Sequence, residues 1–157
     1  MTMAEIKVVT LEPRPFVGVR RTVPHTELGA MFGEALPRVG QWCAENGVRP
    51  TSMPISVYHS VNQETHEFDV QPGFFVAETG EQDGDISFGE TAGGEALMAT
   101  HVGPYETLGE TWQAVFAKAA EMGRSVSKSS WESYVDDPGE VEKAQLRTEI
   151  YVPIDPA

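Results

Sequence analysis

The sequence predicts an α+β fold built from two related modules, each with the order strand, helix, strand, strand. The first observation is an internal repeat: the segment Pro24–Gly29 returns as Pro104–Gly109, 80 residues later. The second is that further pairs keep the same order at a spacing of 76 residues, such as Tyr58 with Tyr134. This repeat is too long for a solenoid unit and predicts a duplicated module. Two modules related by a pseudo-twofold axis would leave a cleft between them, and such clefts usually bind ligands.

The first module is predicted to contain one long helix from about residue 24 to residue 46. Its apolar residues recur every three or four positions, which is typical of an amphipathic helix, and Asn46-Gly47 is a favourable end. Pro37 lies inside this pattern and is expected to kink the helix. Segments rich in Val, Ile and aromatic residues predict the strands of this module. They lie at about 5–10, 14–23, 54–60 and 67–76.

The second module repeats this order after an acidic, glycine-rich connection at 77–94. Its helix is predicted at about 105–122, and both helices should cover one face of a single, mainly antiparallel sheet. The other face would then be free to curve around a ligand. We therefore expect one domain over residues 1–157, with modules at about 1–80 and 90–157. The remaining strands are predicted near 85–88 and at about 95–102, 130–135 and 146–153.

Composition excludes several classes of protein. Only 11 basic residues face 24 acidic ones, so the net charge of −13 should repel nucleic acids and anionic membranes and attract cationic ligands. No apolar run reaches the roughly 18 residues of a membrane helix, and the start of the chain lacks a secretory signal pattern. Cys43 is the single cysteine, which excludes an internal disulfide and favours a cytoplasmic location.

The last predicted strand carries the strongest candidate site. Side chains alternate across a strand, so Glu149 and Tyr151 should share the face away from the helices. In the first module the matching residues are Gly73 and Phe75, so the two halves would contribute two aromatic rings and one glutamate. A carboxylate among aromatic rings is suited to bind a cation. The alternative is an ordinary solvent-exposed strand face.

Further aromatic residues are candidates for the same cleft. Tyr58 and Tyr134 form a repeated pair in matching strands, and Trp131 lies close to Tyr134 in sequence. Each could stack on a ligand or simply stabilise the sheet. The four histidines are scattered, and no glycine-rich phosphate loop occurs, so we expect neither a metal nor a cofactor.

A set of motifs occurs in a characteristic order along the second half of the chain. The motifs are His101–Tyr105, Leu108, Trp112, Tyr134, Asp137-Pro138 and Thr148–Ile154. Together they resemble the GyrI-like small-molecule-binding domain, a family that includes the effector-binding domains of multidrug-responsive AraC-type and MerR-type regulators. The resemblance implies two strand-helix-strand-strand units and an aromatic cleft with a glutamate at the position of Glu149. It also implies bulky, often cationic, aromatic ligands.

The resemblance leaves three functions open. The sequence carries no helix-turn-helix segment, so we expect a free-standing module that binds hydrophobic, aromatic and often cationic compounds. A hydrolase that opens the cyclopropane ring of DNA-alkylating natural products is the second possibility. In that enzyme Glu149 would activate water, and Tyr134 or Tyr151 would orient it. The third is an acidic protein that inhibits gyrase by direct contact.

Overall fold

The computed structural model describes residues 5–62 and 64–156, so the first residues of the chain lie outside it. Within the described residues the strands are mainly antiparallel, and two α-helices accompany nine strands, which confirms the predicted α+β class. The strands are β1 (Ile6–Leu11), β2 (Pro15–Val19), β3 (Arg21–Pro24), β4 (Ile55–Asn62), β5 (Glu67–Phe75), β6 (Ile86–Glu90), β7 (Gly94–Val102), β8 (Ser130–Tyr134) and β9 (Arg147–Pro153). The helices are α1 (Leu28–Glu45) and α2 (Leu108–Glu121).

The chain forms two compact units: an N-terminal unit of residues 13–91 and a C-terminal unit of residues 92–157 together with 1–12. In the N-terminal unit the strand order is β4-β5-β2-β6, and β3 also pairs with β5. Helix α1 covers one face of these strands because its apolar stripe recurs at helical spacing. Buried residues of the helix and the strands form one core there, including Val17, Val39, Cys43 and Val70.

The C-terminal unit repeats this arrangement with the strand order β8-β9-β7-β1. Helix α2 packs on the face that carries Ala99 and Ile150, which are opposite each other in the register of β7 and β9. Its residues Val115 and Ala119 are buried in the same core. In both units one 3₁₀ turn leads into the helix, which explains why the repeated Pro-x-x-x-Leu-Gly segment appears twice in the sequence.

The edge strand of each unit does not come from the half that its sequence position suggests. Strand β1 precedes β2 along the chain but pairs with β7, in the C-terminal unit. Strand β6 precedes β7 but pairs with β2, in the N-terminal unit. The chain therefore passes between the units at residues 12–13 and again at residues 91–92. A hydrophobic pattern identifies a strand but does not identify its long-range partner.

One strand prediction differs from the structure, and helix α1 contains an internal proline as predicted. The segment expected as one strand at 14–23 is two strands, β2 and β3, which are separated at Arg20 and pair with different parts of β5. Helix α1 runs continuously through Pro37 from Leu28 to Glu45. Packing of its buried face compensates for the hydrogen bond that proline cannot donate.

Candidate functional site

Strands β8 and β9 direct candidate side chains to two opposite faces. Directly opposed residues of an antiparallel pair point to the same side, and alternate residues point to opposite sides. The pair Trp131–Tyr151 therefore shares one face with Glu149. The pair Glu132–Ile150 lies on the other face, where Ile150 packs in the core that includes α2. The C-terminal unit thus places one carboxylate on each face of the same strand pair.

On the face away from α2, Glu149 lies in an aromatic setting. The Tyr151 hydroxyl donates a hydrogen bond to Glu149 Oε1 at 3.1 Å. The Tyr151 ring stacks on Trp131, with the centroids 5.2 Å apart and the planes 14° from parallel. Trp131 is only 3% exposed, whereas Glu149 and Tyr151 are half-buried. Three residues of the predicted site therefore lie together in one unit.

On the face toward α2, Glu132 is a buried carboxylate with 4% of its surface exposed. The indole Nε1 of Trp112, in α2, donates to Glu132 Oε1 at 2.6 Å. The hydroxyl of Tyr134, two residues along β8, donates to Glu132 Oε2 at 2.7 Å. Both donors are neutral, and they hold both carboxylate oxygens in fixed positions.

Additional rings surround this second carboxylate. Tyr105 meets Tyr134 edge to face at 5.8 Å between centroids, and Trp112 stacks on Phe116 at 5.8 Å. Burial, followed by the negative charge of Glu132 and of the nearby aspartates, raises the pKa of Tyr105. The surroundings of Tyr105 are therefore both aromatic and negative, and its ring is 39% exposed at the surface of this cluster.

A buried histidine fixes the segment that leads into α2. His101 Nδ1 lies 2.7 Å from the Thr111 hydroxyl, and His101 Nε2 lies 2.9 Å from Thr107 Oγ1 and 3.2 Å from the Pro104 carbonyl oxygen. A carbonyl oxygen only accepts, so Nε2 carries a proton and the Thr111 hydroxyl donates to Nδ1 in the neutral ring. These bonds join β7 to the 3₁₀ turn that carries Tyr105.

The remaining predicted site residues occupy several positions. Tyr134 lies on the α2 face, bonded to Glu132, and not on the face of Glu149. In the N-terminal unit Tyr58 packs against the core, edge to face with Phe68 at 5.8 Å. Phe75 is 2% exposed, and the guanidinium of Arg14 lies 3.7 Å above its ring. Phe75 is therefore buried, with the cationic group of Arg14 over its ring.

The prominent residue that the sequence analysis misses is Glu132. Its position matches Ser56 at the 76-residue spacing of the repeat, and both side chains are buried. A glutamate that replaces a buried serine, one alternate residue before a repeated tyrosine, is the signal that could have identified it.

Other parts of the described chain offer less. No group of three or more His, Cys, Asp or Glu side chains that could hold a metal ion occurs among residues 5–62 and 64–156. A surface groove of about 280 Å³ lies against α1 in the N-terminal unit, away from the candidate residues. At this groove Trp42 donates to Asp83 at 2.8 Å, and both Arg21 and Arg38 contact Asp85, whose pKa they hold well below its usual range.

None of the helices that the structure describes is both long and apolar enough to cross a membrane.

Solved structures with the same fold include EcmrR, a chain seen in a complex with DNA. The similarity to that chain has a TM-score of 0.85 at 21% identity and covers 100% of this chain but 59% of EcmrR. The isolated EcmrR C-terminal domain gives a TM-score of 0.84 at 21% identity, over 99% of this chain and 100% of that domain. This protein therefore spans about three fifths of EcmrR's length and matches its C-terminal domain.

More distant structures share the fold as well. SAV2435 bound to tetraphenylphosphonium has a TM-score of 0.63 at 13% identity, covering 96% of this chain and 94% of that one. A hydrolase encoded by lin2189 from Listeria innocua has a TM-score of 0.64 at 11% identity, covering 98% and 93%. No curated protein sequence matches the chain. The model of the GyrI-like small molecule binding domain matches residues 4–155, and the chain belongs to this family.

Proposed function

We propose that the protein is a cytoplasmic module that binds hydrophobic aromatic cations, with the Glu132 carboxylate as the anchor for the charge. The observation that carries this proposal is the burial of Glu132 between Trp112 and Tyr134, two neutral donors on aromatic rings. The sequence predicts the same role for Glu149. We choose Glu132 as the anchor because it is the more deeply buried of the two carboxylates.

Burial makes this carboxylate a strong attractor for a cation. Coulombic attraction grows as the effective dielectric constant falls, so the same pair of charges interacts more strongly here than at an exposed site. Aromatic faces add attraction to a positive charge, and Trp112, Tyr105 and Tyr134 supply them. The net charge of −13 raises the local concentration of cations around the whole protein.

The Glu132 carboxylate is closed off from solvent by the surrounding rings. Because Glu132 is 4% exposed, a ligand reaches its oxygens only if one of the covering rings moves. Tyr105 packs on Tyr134, which bonds Glu132, and Tyr105 is 39% exposed, so its side chain can move while the turn that carries it stays bonded to His101. We therefore expect binding to require movement of the Tyr105 ring and to be slower than diffusion.

The charge of the ligand provides a direct test. We expect tetraphenylphosphonium, which SAV2435 carries, to bind and triphenylphosphine oxide, a neutral compound with similar rings, to bind at least tenfold more weakly. Glu132→Gln should weaken only the cation, by about 1–3 kcal/mol in isothermal titration calorimetry. Glu110→Gln on exposed α2 surface removes the same charge and is the matched control. Equal affinity for the two compounds would contradict the proposal.

A second candidate function uses the other carboxylate. The Glu149–Tyr151 pair joins a carboxylate to a phenol at 3.1 Å on a half-buried face, and such a pair can activate and orient water. Hydrolysis of a cyclopropane-containing compound is the reaction that we would test. Multiple turnovers that are lost in Glu149→Gln but kept in Glu132→Gln would support it. Binding of one equivalent without product would exclude it.

A further inference from the structure

Thr148 is a buried polar residue whose hydroxyl has no hydrogen-bond partner. The residue is fully buried, and within residues 5–62 and 64–156 its Oγ1 is the one buried side-chain oxygen or nitrogen left without a partner. Strand β9 places it between His101 of β7 and Tyr134 of β8, which are its directly opposed neighbours in the register. Thr148 therefore points to the same face as Glu132, into the space between the strands and α2.

The neighbouring polar groups are engaged elsewhere. Both ring nitrogens of His101 are bonded, to Thr111 on one side and to Thr107 and Pro104 on the other. The hydroxyl of Tyr134 donates to Glu132. Burial of a hydroxyl that makes no hydrogen bond destabilises a protein, and valine would fill the same volume without that cost. A partner from outside the chain would remove that cost.

We propose that Thr148 is a second recognition point of the Glu132 site and that it binds a hydroxyl, carbonyl or amino group of the ligand. The proposal rests on the proposed function, since it places the ligand at Glu132. Because Tyr134 opposes Thr148 and Glu132 is the diagonal neighbour of Thr148, the two residues lie roughly 7–8 Å apart along the sheet. The glutamate side chain shortens the distance that a ligand must span, so the ligand class is an aromatic cation that carries a hydrogen-bonding group on a short arm close to its charge.

This inference separates two groups of cations. A purely hydrophobic cation, such as an alkyltriphenylphosphonium, satisfies Glu132 and leaves Thr148 without a partner. A cation with an added hydroxyl can satisfy both, because a threonine hydroxyl donates one hydrogen bond and also accepts. Such a buried hydroxyl discriminates strongly between ligands, because a ligand that lacks a hydrogen-bonding group leaves the hydroxyl without a partner.

The test compares ethyltriphenylphosphonium with 2-hydroxyethyltriphenylphosphonium in calorimetric titrations of the full chain. In the parent we expect the hydroxyl to improve affinity roughly three- to tenfold, the range for one neutral hydrogen bond. Thr148→Val should abolish that preference, bringing the ratio of the two affinities close to one. Thr148→Ser keeps a hydroxyl and should keep the preference. The variant Thr148→Val should also unfold at a higher temperature than the parent when no ligand is present.

The outcomes separate this inference from the proposed function. If both phosphonium ions bind, depend on Glu132, and show the same affinity ratio in the parent and in Thr148→Val, the inference is wrong and Thr148 holds at most a water molecule. If neither ion binds the parent, the proposed function fails and the ligand assigned to Thr148 fails with it. A preference that persists in Thr148→Val would also contradict the inference.

Discussion

The two units share a strand order but differ in the chemistry of the interior between helix and sheet. In the N-terminal unit this interior is largely apolar, whereas the C-terminal unit carries polar side chains at matching positions. The matched pairs are Ser56 and Glu132, Val19 and His101, Met31 and Thr111, and Pro72 and Thr148. The backbone of one copy therefore supports a conventional core, and the same backbone in the other copy supports a buried polar cluster. The difference locates the candidate site in the C-terminal unit.

A second difference lies where β5 and β9 correspond. In the N-terminal unit Gly73 opposes Gly18, and a Cβ atom on Gly73 would lie 1.8 Å from the Val17 carbonyl oxygen. In the C-terminal unit the same positions hold Glu149 and Thr100. The close approach of backbones in the N-terminal unit requires glycine at these positions, whereas the C-terminal unit carries side chains at both of them.

The largest expected effect comes from transferring the polar chemistry to the apolar unit. Ser56→Glu introduces a charge into a core that is not arranged to bind it, so we expect a loss of about 3 kcal/mol in the free energy of unfolding at pH 7. Ser56→Ala is the control and should cost about 1 kcal/mol or less. Urea denaturation measures both, and a Ser56→Glu protein as stable as the parent would contradict the contrast between the units.

A similar loss is expected at the crossing of β2 and β5. Gly73→Ala should destabilise the protein by about 3 kcal/mol, because Val17 and Gly18 must move to admit the new methyl group. Gly33→Ala on helix α1, where no atom lies within 4 Å of the added Cβ, should instead stabilise by about 0.5–1 kcal/mol. Thermal unfolding should show a lower melting temperature for Gly73→Ala and a higher one for Gly33→Ala. Shifts in the same direction would contradict the geometry at Gly73.

The smallest expected effect concerns pH and involves the N-terminal unit. Burial lowers the pKa of His59, although its hydrogen bond with Gln71 at 2.9 Å opposes the shift. The folded protein therefore binds this proton less readily than the unfolded chain does. Stability should fall as the pH drops below about 6.5, the ordinary value for histidine. His59→Gln should flatten the stability curve between pH 5 and 7, and an unchanged slope would assign the effect to other groups.

Much of the architecture could be predicted from the sequence because it follows from local patterns. Apolar spacing located α1 and α2, and alternation placed Glu149 and Tyr151 on the face away from the helices. The pairing of β1 with β7 could not be predicted in this way, since it depends on contacts between distant segments. The buried network of Glu132 was missed because a single glutamate within a strand usually lies at the surface.

We propose that Glu132, rather than Glu149, anchors a bound cation. The direct test is calorimetric titration of tetraphenylphosphonium into the parent, Glu132→Gln and Glu149→Gln, which are variants of the same type on opposite faces of one strand pair. We predict that Glu132→Gln weakens binding roughly tenfold or more and that Glu149→Gln changes it less than twofold. A loss confined to Glu149→Gln would contradict the account and place the ligand on the face away from α2.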